Sequence, residues 1–162
     1  MPTAFNPDEV LALACEIERV GGRFYARAAA LLTDPELRKL LEKLARWEAE
    51  HQRTFAALRA RLGQEPDALL DLDDTAGQYL RALASGAVFP TEDEDGRWLG
   101  APRSAADVLQ RALRVERDSI AYYTGLRAAM PAAWGPAAVD DILREEMGHV
   151  IMLSAELRRV EG

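Results

Sequence analysis

The strongest constraint on how this chain folds is a four-residue set that occurs twice. Glu18, Tyr25, Glu48 and His51 recur as Glu116, Tyr123, Glu146 and His149, each member displaced by 98 positions. His51 and His149 are the only histidines, and each stands three residues after a glutamate, in Glu48-Ala-Glu-His51 and Glu146-Met-Gly-His149. A spacing of three puts both side chains on one face of a helix, one turn apart. The doubling predicts two helical hairpins built alike.

Start and stop signals set the expected spans. Asn6-Pro7-Asp8-Glu9 offers an N-cap, a proline at the first helical position and acids in the first turn, and predicts a helix over 7–32. Thr33-Asp34-Pro35-Glu36 repeats that signal and predicts a second helix over 35–62, closed by Gly63 as a left-handed residue. Ser104 and Asp107 form a capping-box pair for a third helix over 105–130, and Gly135-Pro136 opens a fourth over 136–160. The crossover, 63–103, is punctuated by Pro66, Gly86, Pro90, Gly96, Gly100 and Pro102. One short helix is expected in it at 74–84, and the acidic run Glu92–Asp95 reads as a solvated loop. Glu18 falls in the apolar stripe Leu11, Ala14, Gly21, Tyr25, Ala28, Leu32. Glu48 and His51 fall in the stripe Leu37, Leu40, Leu44, Phe55, Leu58. Helices of 25 to 28 residues are roughly 40 Å long at ~1.5 Å per residue. The expected fold is all-α: a single domain over 1–162, an antiparallel four-helix bundle with the six acids and histidines at mid-height.

Composition excludes several function classes. A net charge of −7 provides no basic field for phosphate backbones, which argues against nucleic acid as a partner. No apolar run approaches the ~18 residues of a membrane span, and Met1-Pro-Thr-Ala-Phe-Asn-Pro-Asp lacks a charged-then-apolar leader, so no membrane and a cytoplasmic location are expected. The single Cys15 can form neither an internal disulfide nor a thiolate metal site. Any metal must be held by nitrogen and oxygen.

Four carboxylates in an apolar seam lose several kcal/mol of solvation each if ionised and unpaired. Two divalent cations would neutralise them, and an oxygen-plus-imidazole set suits Fe(II), Mn(II) or Zn(II). Glu48 and Glu146 are the natural bridges; Glu18, Glu116, His51 and His149 are then terminal ligands. Tyr25 and Tyr123, two turns beyond Glu18 and Glu116, are placed to hydrogen-bond a bridging glutamate or to supply an electron or proton. Glu50 and Glu145 fall out of phase and read as solvated, Trp47 as helix-interface packing, Cys15 as an inert thiol and Ser119 as packing or a water site. Trp98 and Trp134 carry no readable role.

The order Glu, Glu-x-x-His, Glu, Glu-x-x-His over 8–62 and 104–160 resembles the ferritin-like di-iron carboxylate proteins. The tyrosine seven residues after each first glutamate is similar to the rubrerythrin and bacterioferritin branch. That resemblance implies two iron ions at the six ligands and reaction with peroxide or dioxygen, as a peroxidase or a ferroxidase. The matching position for a further carboxylate of rubrerythrins is Ser119. The four-cysteine rubredoxin module is missing from these residues, so electrons would come from a separate donor protein. Ala49 stands where a bacterioferritin haem-binding methionine would, so no haem is expected. A homo-oligomer is expected, for instance a dimer exchanging hairpins across the long crossover. Two other classes fit the same ligands: a monooxygenase with an apolar access channel, and an iron-storage or structural bundle without turnover.

Overall fold

A computed structural model of the protein describes residues 6–64, 74–85 and 88–162, and in it every regular element is a helix. The long helices are α1 (Pro7–Leu31), α2 (Pro35–Leu62), α5 (Ala105–Ala129) and α6 (Ala137–Glu161). The crossover carries α3 (Thr75–Ser85) and α4 (Glu92–Leu99), and a 3-10 turn at Ala132–Trp134 precedes α6. The expected Pro66 and Gly86 breaks and the N-terminal Met1–Phe5 stretch lie outside the described residues.

Local chemistry explains the helix starts. Asn6 and Glu9 exchange backbone and side-chain hydrogen bonds at α1, Asp34 caps α2 through Glu36 N and Leu37 N, and Ser104 and Asp107 close the box at α5. α2 ends differently from expectation. Gly63 stays right-handed at φ −64°, and the left-handed glycine turn is Gly135 at φ 65°, just before α6.

The crossover holds two short helices where one was expected, because the acidic run is helical. Thr91 and Glu94 form a capping box, and four acids in the first turn complement the positive end of the helix dipole. Three contacts pin α4 to α1 and α5: Glu92 to Arg19 at 2.7 Å and to Arg27 at 3.0 Å, and buried Asp95 to Arg111 at 2.7 Å. Trp98 lies under the guanidinium groups of Arg103 and Arg111, at 4.4 and 4.7 Å.

α1 packs along α2 and α5 along α6, with α3 lying on α5. The interior separates into two apolar clusters. One joins Val10, Leu11 and Ala14 to Phe55, Leu58, Tyr122, Leu126 and Ile142 at one end. The other joins Ala28, Leu37, Leu41, Leu44, Leu109, Ala112 and Leu153 at the opposite end. Leu41, rather than the expected Leu40, fills the buried place on α2. Buried Trp134 closes the first cluster and accepts a hydrogen bond on its carbonyl from Arg61. No described helix is long and apolar enough to cross a membrane.

Candidate metal centre

Between the two clusters lies a polar belt. Glu18, Glu48, His51, Glu116, Glu146 and His149 are each at most 5% exposed, and they converge from four helices. Gly21 and Gly22 on α1 face Glu48 on α2 there. A Cβ on Gly21 would sit 3.7 Å from Glu48 Oε2, and one on Gly22 3.4 Å from Glu48 Cβ.

The side chains form two groups whose ligand atoms lie within 4.8 Å of one another: Glu18, Glu48, His51 and Glu146, and Glu48, Glu116, Glu146 and His149. Glu48 and Glu146 belong to both; the other four belong to one each. His51 Nδ1 faces Glu146 Oε1 at 2.9 Å and Glu18 Oε2 at 3.5 Å. His149 Nδ1 faces Glu146 Oε2 at 3.1 Å, Glu48 Oε1 at 3.2 Å and Glu116 Oε1 at 3.5 Å. The imidazoles stack with centroids 5.6 Å apart.

Hydrogen bonds satisfy only part of this convergence. Glu18 Oε2, Glu48 Oε1, His51 Nδ1 and Glu146 Oε1 are buried without a hydrogen-bond partner, even though His51 Nδ1 and Glu146 Oε1 are close enough for one. Buried carboxylate oxygens and an imidazole nitrogen that converge and are left unsatisfied are what a cation would complete. The donor set, hard carboxylate oxygen with imidazole nitrogen, fits divalent iron, manganese or zinc.

Proton affinities are displaced accordingly. Burial, then the charges of Glu146, Glu18 and Glu116, hold Glu48 well above the ordinary carboxylate range. Burial, then Glu146, pushes Glu116 up to about 8. Glu146 is lowered despite burial, because protons held by Glu116, His149 and His51 beside it favour its charged form. Burial opposes protonation of the histidines, but the glutamates outweigh it and raise His51 to about 11 and His149 to about 9.

Three contacts differ from expectation. Tyr25 donates to Glu116 and Tyr123 to Glu18, so each tyrosine meets a non-shared glutamate of the other hairpin instead of a bridging one. Glu145 is exposed, yet its Oε2 lies 2.6 Å from His51 Nε2 across the bundle. Its place directly before Glu146 was the available signal, and helical phase alone assigned it to solvent. Trp47 stacks on His149, with centroids 5.3 Å apart. Ser119 is buried and returns its hydroxyl to Val115 O at 3.0 Å, and Cys15 is a partly buried free thiol beside the first apolar cluster.

Fold and site together define a ferritin-like four-helix bundle with a central carboxylate–histidine belt. The chain belongs to the rubrerythrin family, whose sequence profile matches residues 9–91. Its fold is similar to a crystal structure described as a ferritin-like diiron-carboxylate protein from Thermotoga maritima, with a TM-score of 0.74 and 24% identity over 93% of each chain. A comparison with curated proteins gave no match.

Proposed function

We propose that the protein is a di-iron oxidoreductase that reduces peroxide or dioxygen, or oxidises Fe(II). Glu18, Glu48, His51 and Glu146 would hold one ion, and Glu48, Glu116, Glu146 and His149 the other. The observation that carries this reading is the set of buried, unpartnered ligand atoms, which ordinary packing would leave at high cost.

Iron at this position supplies the redox chemistry. The chain's own residues fix the rest. Four carboxylates offset the charge of two divalent ions, and the apolar clusters above and below keep bulk water out. Tyr25 and Tyr123, held as neutral phenols well above their ordinary value by burial and the nearby carboxylates, keep their own protons and donate hydrogen bonds to Glu116 and Glu18. Electrons are supplied by a separate donor protein, and the working form is a homo-oligomer.

A second reading, oxidation of a small apolar organic molecule, is favoured by one feature. A cavity of about 160 Å3 lies between α1, α4 and α5, lined by Leu13, Ile17, Val20, Phe24, Phe89 and Val115. It reaches Gly21, which adjoins Glu48.

The test is metal analysis of protein produced in iron-rich medium, followed by anaerobic mixing of the reduced form with peroxide and, separately, with air. Two irons per chain and repeated turnover with peroxide support a peroxidase, and turnover with Fe(II) and air a ferroxidase. Uptake of many irons per chain supports storage. Zinc alone, with no redox response, removes the oxidoreductase reading.

A further inference from the structure

The two halves of the centre differ at the position directly before each shared glutamate. Glu145 precedes Glu146, whereas the residue 98 places earlier, preceding Glu48, is Trp47. Each crosses to the histidine of the other motif. Glu145 brings a carboxylate oxygen to 2.6 Å from His51 Nε2. Trp47 instead lays its ring on His149, with the planes only 13° apart. Among the described residues no hydrogen bond is made to His149 Nε2; its polar contacts all run through Nδ1.

Both Nδ1 atoms point into the belt, so what sits at Nε2 decides how firmly each imidazole presents its lone pair. A carboxylate there accepts the Nε2–H, selects the tautomer with Nδ1 free and makes Nδ1 a stronger donor. An indole offers a π face and an N–H donor, with no acceptor, so it orients the ring without setting the tautomer.

Resting on the reading of the belt as a two-cation site, we propose that Glu145 is a positioning residue that makes the two positions unequal. The one served by His51 takes a divalent cation more tightly than the one served by His149. The hydrogen bond is short, but Glu145 is 58% exposed, so its effect belongs at the low end of the ten- to hundredfold range for such partners, about tenfold.

The experiment is titration of the metal-free protein with Co(II), followed by calorimetry and visible absorption. Wild type is expected to bind two ions in steps about tenfold apart. Glu145→Ala should weaken the tighter step by about that factor and leave the other unchanged. Glu145→Gln, which keeps an acceptor without its charge, should fall between, and Trp47→Glu should draw the steps together. Residue 145 is an exposed helix position, so the alanine and glutamine variants should fold normally. In the zinc-loaded, 15N-labelled protein, the His51 Nε2–H should be shifted downfield and slow to exchange, and Glu145→Ala should abolish both properties. Two ions bound by wild type with equal affinity, or a Glu145→Ala variant that weakens both steps alike or neither, overturns this inference and leaves the two-cation site standing. A wild-type protein that binds no Co(II) removes the site itself and the inference with it.

Discussion

Tyr25 on α1 donates its hydroxyl to Glu116 on α5, tying a carboxylate of one hairpin to a phenol of the other. Tyr123 makes the mirrored contact with Glu18. These two bonds cross the bundle where α1 faces α5. Tyr25→Phe removes the donor and leaves a buried carboxylate oxygen short of a partner, at a cost of about 1–3 kcal/mol. Denaturant unfolding of the metal-free variant should show that loss. An unchanged midpoint would mean that Glu116 is satisfied elsewhere.

The metal-free protein should lose stability as pH rises from about 4.5 to about 9, most steeply above about pH 6.5 where both groups below contribute. Glu116 is raised from 4.5 to about 8 and His149 from 6.5 to about 9. A group that holds its proton more tightly when folded contributes fully below its unfolded value, and that contribution fades as pH rises through the folded value. Both groups therefore act in the same direction across this window. His51, raised to about 11, extends the decline into more alkaline solution. Glu146, which is lowered, acts only under acid conditions. Unfolding midpoints at several pH values check the slope.

Cation binding must expel those protons, so affinity should rise with pH, and calorimetry in buffers of different ionisation heat should detect proton release. A divalent ion at about a thousand times its dissociation constant should stabilise the fold by about 4 kcal/mol, and chelation should reverse this. A thermal midpoint indifferent to chelator would contradict a shared central site.

Glu48→Gln separates function from stability. Glu48 belongs to both ligand groups and resists ionisation in its buried setting. The neutral isostere should leave the metal-free fold at least as stable while weakening both cation positions. Denaturant unfolding and metal titration of the same variant check the two halves of this expectation. A less stable variant that still binds two ions would mark the glutamate as structural.

Gly125→Ala tests how the crossover is held. A Cβ there would lie 2.6 Å from Tyr79 Cδ1 and 3.1 Å from Leu80 Cδ2, so the Tyr79 ring must be displaced and the contact of α3 with α5 loosened. The expected cost is about 1–3 kcal/mol, with faster hydrogen exchange in α3 and unchanged exchange in α1 and α2.

Much of this was legible in the sequence because it is local. Caps at Asn6, Asp34 and Ser104 are chosen by residues within three positions, and the helical period of 3.6 placed Glu18, Glu48, His51, Glu116, Glu146 and His149 on apolar faces. The doubling at 98 residues announced two like hairpins. The acidic run misled because charge density reads as loop, whereas a threonine cap and the helix dipole made it α4, and Arg19, Arg27 and Arg111 gave it partners far away in the chain.

What only the tertiary structure decided is which faces meet, and at what height. Helical phase says that Glu145 lies off the buried stripe of its own helix. It cannot say that a side chain leaving that stripe obliquely crosses to His51 on α2. Likewise it set Tyr25 and Tyr123 inward, but the rotation and depth of α1 against α5 gave them Glu116 and Glu18 in place of the shared glutamates. Periodicity is a property of one helix, whereas partners across a bundle depend on the relative placement of two.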